Sequence, residues 1–217
     1  VPEGEWLDIN ERQKIYIFVD FCARNFAFYY FTKNTVLHES IIVNYVKISA
    51  MQKYSELLRT LLEKRGITDE VQADIFLNPD YLRDMYDPFL MRDMEKACVR
   101  LFEAIEAKEK IVIYADYDCD GIPGAVILND LFKLVGYKNY EVYIPQRNSE
   151  GYGLNLEAIE KFAQSGVKLL ITIDLGITAV AEVAQAEVDG IDVIITDHHL
   201  PAQTGLPRAY AILNPKV

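Results

Sequence analysis

Ile111-Val112-Ile113-Tyr114-Ala115-Asp116-Tyr117-Asp118-Cys119-Asp120-Gly121 is an apolar run that breaks into alternating aspartates and a glycine. Two later runs break in the same way. Leu169–Ile173 leads into Asp174-Leu175-Gly176, and Val193–Thr196 leads into Asp197-His198-His199. Short runs rich in β-branched residues read as buried strands. Further strands are expected at 141–144 and 210–213, and the strand ending at Thr196 is expected to start at Asp192. Helices are expected at 123–135, 156–164 and 178–187. This alternation predicts an α/β fold, a parallel five-stranded sheet flanked by helices. In an open sheet of this kind, sites form beyond the carboxyl ends of the strands. Three acid-bearing ends would meet there. Carboxylates that close repel, and each takes up a proton unless cations sit among them. Two divalent cations are the simplest solution.

Upstream, the chain reads as helical. Met94, Ala97, Cys98, Leu101, Phe102 and Ile105 form an apolar stripe on a helix over 93–108. Leu57, Leu58, Leu61 and Leu62 form another stripe, ended near Gly66. Thr68 is placed to cap a short helix over 69–76. Asn78-Pro79 and Asp87-Pro88 mark turns. Residues 1–50 are aromatic-rich and lack a clean period, and they are expected to be an extension or sequence upstream of a start at Met51. The expected organisation is therefore 1–50 unassigned, 51–109 an all-helical lead-in, and 110–217 the α/β domain.

The chain has 217 residues and a net charge of −11. That acidity opposes extended contact with a nucleic-acid strand, but metal-bridged contact with a phosphate does not need a basic domain. Three cysteines without metal-type spacing argue for a reducing compartment, the cytoplasm. The apolar stretch 15–31 contains Asp20 and Arg24, so no membrane span is expected.

The aspartate-bearing runs resemble the motifs of the DHH phosphoesterase superfamily. DYDCDG (Asp116–Gly121) resembles its first motif, DLG (Asp174–Gly176) its second and DHH (Asp197–His199) its third. IPQRNSEGYGLN (Ile144–Asn155), IITDHHLP and ILNPK (Ile212–Lys216) narrow the resemblance to the RecJ-type exonucleases. So does the earlier RGITDE…FLNPD…DPFLMRDMEKA over Arg65–Ala97. Pro123-Gly124 and Leu175 depart from the usual pattern without touching an expected metal ligand.

The resemblance implies two Mn²⁺ or Mg²⁺ ions held by Asp118, Asp120, Asp174 and His198, with Asp174 bridging. It implies that Asp116 orients the first loop. Asp197 would be a ligand or would hold the His198 tautomer, and His199 would stabilise charge on the scissile phosphate. Arg147 would contact a substrate phosphate. Tyr152 is open between stacking on a base and packing on the sheet, and Cys119 is expected to face away.

The implied reaction is metal-assisted attack of water on phosphorus, degrading single-stranded DNA from its 5′ end. A single-strand-binding protein and a helicase are the implied partners. The family's fourth aspartate motif and second domain are expected beyond Val217, which makes this chain a truncated catalytic portion. Two alternatives stand beside this reading. One is a DHH phosphodiesterase of short oligonucleotides or cyclic dinucleotides. The other is a non-catalytic DHH-like binding module.

Overall fold

The chain is described from a computed structural model, which covers residues 53–203 and 205–217. The expected extension over 1–50 lies outside the described residues. Among those described, contacts divide the chain at Asp87/Pro88.

Before that point lie three short helices, α1 (Glu56–Glu63), α2 (Glu70–Leu77) and α3 (Tyr81–Asp84). Asp69, not Thr68, caps α2, its carboxylate accepting from the Gln72 amide at 2.9 Å. Thr68 stands one residue too early for its side chain to take that role. Only two members of the leucine stripe turn inward. Leu58 and Leu62 pack with Ala73 and Phe76, whereas Leu57 and Leu61 face solvent.

From Pro88 onward the chain forms a three-layer α/β/α unit. Its elements are α4 (Met94–Glu106), β1 (Lys110–Ala115), α5 (Gly121–Leu134), β2 (Tyr140–Tyr143), α6 (Leu156–Gln164), β3 (Val167–Ile173), α7 (Val180–Val188), β4 (Asp192–Thr196) and β5 (Ala211–Leu213). The sheet is five-stranded and all parallel, in the order β2-β1-β3-β4-β5. Alternate residues of each strand serve opposite faces. Ile111, Ile113, Leu169 and Ile171 pack against α4 and α5 through Ala97, Leu101, Leu128 and Phe132. Val112, Tyr114, Leu170, Val193 and Ile195 pack against α6 and α7 through Ile159, Phe162 and Val183. The helix over 94–106 therefore packs in the core of the α/β unit, whose contacts reach back to Pro88. Arg100 of α4 is buried and reaches Asp192 at 2.6 Å and Glu109 at 2.7 Å, which ties the helix to the opening ends of β1 and β4.

The strand order places a switch point between β1 and β3. The chain leaves β1 through α5 on one face and leaves β3 through α7 on the other. A crevice opens where successive connections diverge in this way.

Parallel pairing also aligns the strand ends. Ala115, Ile173, Thr196 and Leu213 are paired in turn across β1, β3, β4 and β5. The next rung continues beyond the strands. Asp116 donates its amide to Ile173 O at 3.1 Å, Asp174 to Thr196 O at 2.8 Å and Asp197 to Leu213 O at 3.0 Å. Asp116, Asp174, Asp197 and Asn214 thus stand in one row along the carboxyl edge.

The outer edge at β5 is closed by a side chain. Asp93 precedes α4 but makes no capping bond to it. Its carboxylate instead accepts from the Ile212 amide at 3.0 Å. This satisfies a donor that an edge strand otherwise leaves open. Asp93→Ala is expected to lower stability by about 1–2 kcal/mol, and Asp93→Asn, which keeps the acceptor, by less. Urea unfolding of the three proteins checks this, and equal midpoints would refute it.

Candidate metal centre

Each aspartate owes its place to local backbone geometry. After β1 the chain turns sharply into α5, and Asp118 closes that turn. Its Oδ1 accepts from the Asp120 amide at 2.9 Å and the Gly121 amide at 3.0 Å. The Gly121 amide in particular holds the Asp118 carboxyl below its ordinary value. Asp116 is buried, with Oδ1 accepting from the Tyr117 amide at 2.7 Å. Burial pushes its carboxyl up, against the opposing bond from Tyr117. Gly121 has an unremarkable φ, so it is not there for left-handed geometry. A Cβ at this position would lie 2.4 Å from the Asp116 carbonyl oxygen. The glycine lets α5 start in direct contact with the Asp116 backbone.

After β3 the backbone itself is special. Asp174 has φ 63°, a left-handed conformation uncommon outside glycine but tolerated by aspartate. Leu175 is buried in the core, and its carbonyl accepts from Thr172 Oγ1 at 2.8 Å. Gly176 follows at φ 112°. The turn delivers Asp174 into the crevice almost wholly buried, at 7% exposure. Neither of its carboxylate oxygens receives a hydrogen bond of normal geometry. His198 Nε2 nevertheless lies 2.9 Å from Oδ1. Burial pushes the Asp174 carboxyl up to about 7, with Asp118 and Asp120 adding repulsion.

After β4, Asp197 acts as a bracket. Oδ1 accepts from the His198 amide at 2.7 Å and the His199 amide at 3.0 Å, and lies 2.8 Å from His199 Nδ1. Oδ2 accepts from the Ile177 amide at 2.9 Å, joining the DLG turn to the DHH turn. The ring held by Asp197 is that of His199. The expectation that Asp197 sets the His198 tautomer does not match this geometry, because the two imidazoles point to different partners. The His198 ring turns instead toward Asp174 and, at 3.8 Å, toward Asp120.

Two groups of side chains converge closely enough to share an ion. Asp174, His198 and His199 form one, and Asp116, Asp118 and Asp174 form the other, each with ligand atoms within 4.8 Å of one another. Asp174 is common to both. Asp116 therefore stands among the carboxylates, closer in than the orienting position expected of it, while Asp120 lies at the margin beside His198.

The donor set suits hard divalent cations. It offers carboxylate oxygens with one or two imidazoles. Two ligands each about 2.1 Å from a common ion, at a right angle, stand about 3 Å apart. The short but misaligned His198–Asp174 approach has that spacing. A buried carboxylate with no hydrogen bonds is costly unless a cation meets it.

The segment between β2 and α6 borders this crevice. Glu150 accepts from the Gln146 amide at 2.8 Å and from the Tyr143 hydroxyl. The buried Tyr114 hydroxyl donates to Gly153 O at 2.9 Å and receives Asn155 Nδ2 at 3.1 Å. These bonds pin both ends of the loop that carries Arg147 and Tyr152. Arg147 is exposed, makes no ion pair among the described residues, and lies over the Tyr117 ring with Cζ 4.4 Å from its centre. Tyr152 is half exposed and meets the His199 ring edge-on, with centres 6.3 Å apart. Burial and the facing carboxylates raise its phenol above the ordinary value. Cys119 is exposed.

Asn214, Tyr114, Asn155 and Thr172 shape the site without having been singled out in the sequence. Asn214 had a legible signal, since Ala211–Leu213 is a fourth apolar run that ends in a polar residue. Tyr114 and Thr172 lie inside apolar runs, where their hydroxyls carry no pattern.

Comparison with known proteins agrees with this geometry. The DHH family, N-terminal domain, matches residues 110–217. The single-stranded-DNA-specific exonuclease RecJ of Bacillus subtilis (strain 168) is 45% identical over 161 residues, covering 74% of this chain and 20% of that protein. RecJ of Haemophilus influenzae is 37% identical over 136 residues, covering 63% of this chain and 24% of the relative. The chain thus spans about a quarter or less of the length of these relatives. Among solved structures, an exonuclease RecJ bound to manganese superposes with a TM-score of 0.54 at 31% identity, over 58% of this chain and 32% of that one. The aspartate-bearing strand ends, their shared rung and these matches together establish that the chain belongs to the DHH family, whose N-terminal domain it carries over residues 110–217.

Proposed function

We propose that this chain carries the catalytic centre of a metal-dependent phosphodiesterase that removes nucleotides from the 5′ end of single-stranded DNA. The observation that carries the reading is Asp174, a buried carboxylate without hydrogen bonds that belongs to both ligand groups. The similarity to the RecJ exonucleases supports single-stranded DNA over short or cyclic oligonucleotides. Mn²⁺ or Mg²⁺ ions held by Asp116, Asp118, Asp174 and His198, with Asp120 beside them, would polarise a phosphoryl oxygen and ease deprotonation of water.

The protein's own groups have distinct duties. Asp118 keeps one oxygen on the α5 amides and so presents its carboxylate in a fixed direction. Asp197 fixes the His199 ring through Nδ1, which leaves Nε2 as the edge that would take a proton and, carrying it, donate to a phosphate oxygen. Arg147, stacked on Tyr117 at the rim, offers a planar donor pair to a backbone or terminal phosphate. Tyr152 offers an exposed ring beside His199, suited to stacking on a base. The cytoplasm is the proposed compartment, as three widely spaced cysteines without metal-type spacing fit a reducing environment. No helix among the described residues is long and apolar enough to cross a membrane. A single-strand-binding protein and a helicase belong to the same reading as partners of the whole protein.

The test is calorimetric titration with Mn²⁺, followed by hydrolysis of end-labelled single strands and duplexes. Binding of two ions, with mononucleotides released first from the 5′ end of single strands, is the expected result for the whole protein, and weaker ion binding with little or no hydrolysis for the 217-residue chain alone. His199→Ala should keep at least the ion placed among Asp116, Asp118 and Asp174 and lose turnover by about 10²-fold or more. Ion-independent cleavage would sink the proposal, as would a preference for dinucleotides over strands.

A further inference from the structure

We infer that Asn214 is a positioning residue for His199 and completes the row of polar side chains on the sheet's edge. It stands one residue beyond β5, on the rung shared by Asp116, Asp174 and Asp197. Its side chain is buried, at 5% exposure. Nδ2 donates to the His199 carbonyl at 2.9 Å, and Oδ1 accepts from the Lys216 amide at 2.9 Å. One amide thereby joins the DHH turn to the turn after β5.

The consequence for His199 follows from its polar groups. Its amide and ring Nδ1 are both held by Asp197 Oδ1, and its carbonyl by Asn214. Asp197 alone constrains the residue from one side, which leaves rotation about the backbone on the other. The chain beyond His199 offers little help. Leu200 is exposed and Pro201 has no amide hydrogen. Among the described residues, the next backbone bond is Gly205 N to Ala202 O, internal to the loop. Asn214 is the link that returns the carboxyl side of His199 to the sheet. An Asp at this position has the same shape but cannot donate, and it would set a negative oxygen against the His199 carbonyl. A Leu has a similar volume and bonds to neither partner.

The inference rests on the proposed role of His199, and the test separates the two. The His199 ring is observed directly by ¹H–¹⁵N correlation of the imidazole nitrogens in the wild-type chain, Asn214→Asp and Asn214→Leu. Sheet amide shifts serve as the control for folding. In the wild type one sharp tautomer with Nδ1 protonated is expected. In both variants the His199 signals should broaden or split while the sheet amides stay in place, and kcat on single strands should fall by about 10–100-fold with KM unchanged. Should Asn214→Asp fail to fold, Asn214→Ser, whose hydroxyl is too short to reach the His199 carbonyl, is read by the same criterion. A wild-type His199 spectrum in a folded variant overturns the inference, whether or not the chain proves to be a nuclease. An altered His199 spectrum in the folded variants, alongside a wild-type protein that lacks nuclease activity, would support Asn214 and sink the functional reading alone.

Discussion

Replacing Asp174 by Asn is expected to stabilise the metal-free chain and to abolish its response to Mn²⁺. Asparagine keeps the shape and tolerates the left-handed backbone at φ 63°. It removes a charge that is buried without a hydrogen bond and faces Asp118 and Asp120. The pH dependence has a definite sign. The folded-state carboxyl titrates near 7 against 3.8 ordinarily, so between those values the folded chain holds a proton that the unfolded chain has lost. Stability should therefore fall as pH rises from about 4 to about 7 and stay low above that. A shift of that size corresponds to a penalty of about 2–4 kcal/mol at pH 8. Melting curves in chelator at pH 4 to 8 should show the wild type losing stability on that limb and Asp174→Asn losing less. Adding Mn²⁺ should raise the wild-type midpoint, because the ion binds only the folded chain, and should leave the variant nearly unmoved. Hydrolysis should drop by about a hundredfold or more. Equal midpoints in chelator would show that Asp174 is not strained by its surroundings. Full Mn²⁺ stabilisation of the variant would show that it is not the shared ligand.

Gly121→Ala should be among the most destabilising single methyl additions in the α/β unit. The added carbon would meet the Asp116 carbonyl oxygen at 2.4 Å and its carbonyl carbon at 2.8 Å. Both are backbone atoms on the rung that carries the site, so neither can yield by a rotamer change. Relief requires α5 to move off the end of β1, which also breaks the bonds from Asp118 to the Asp120 and Gly121 amides. Helix propensity favours alanine by about 1 kcal/mol, yet a net loss of about 2–4 kcal/mol is expected from overpacking. Chemical unfolding measures it. A variant as stable as the wild type would mean that α5 can shift freely, and the account of this turn would be wrong.

The sheet was legible because each of its central strands is a continuous apolar run, and runs of that kind have few other homes. The helices after β1 and β3 begin at Gly121 and Val180, whereas the pattern pointed to 123 and 178. Those boundaries are decided by turns, whose bonds involve single side chains such as Asp118. The meeting of the three acid-bearing ends was also legible, because parallel strands present their carboxyl ends together. Which ring Asp197 holds was not. Adjacent histidines in sequence diverge in space, and only the hydrogen bonds separate His199 from His198. Gly121 shows the same limit from another side. A glycine before a helix suggests a flexible turn, but the requirement here is contact with a neighbouring backbone.

The common rung has a consequence for how the centre tolerates change. Adjacent strands lie about 4.8 Å apart, so the sheet acts as a ruler that spaces Asp116, Asp174 and Asp197 in whole intervals before any loop is considered. Inserting or deleting one residue within β1, β3 or β4 would move its acid off the row and turn it toward the opposite face. Changes after the row, in the loop beyond Leu200, carry no such penalty. The proposed centre is thus anchored in the part of the chain least able to drift, while its rim is left free to vary.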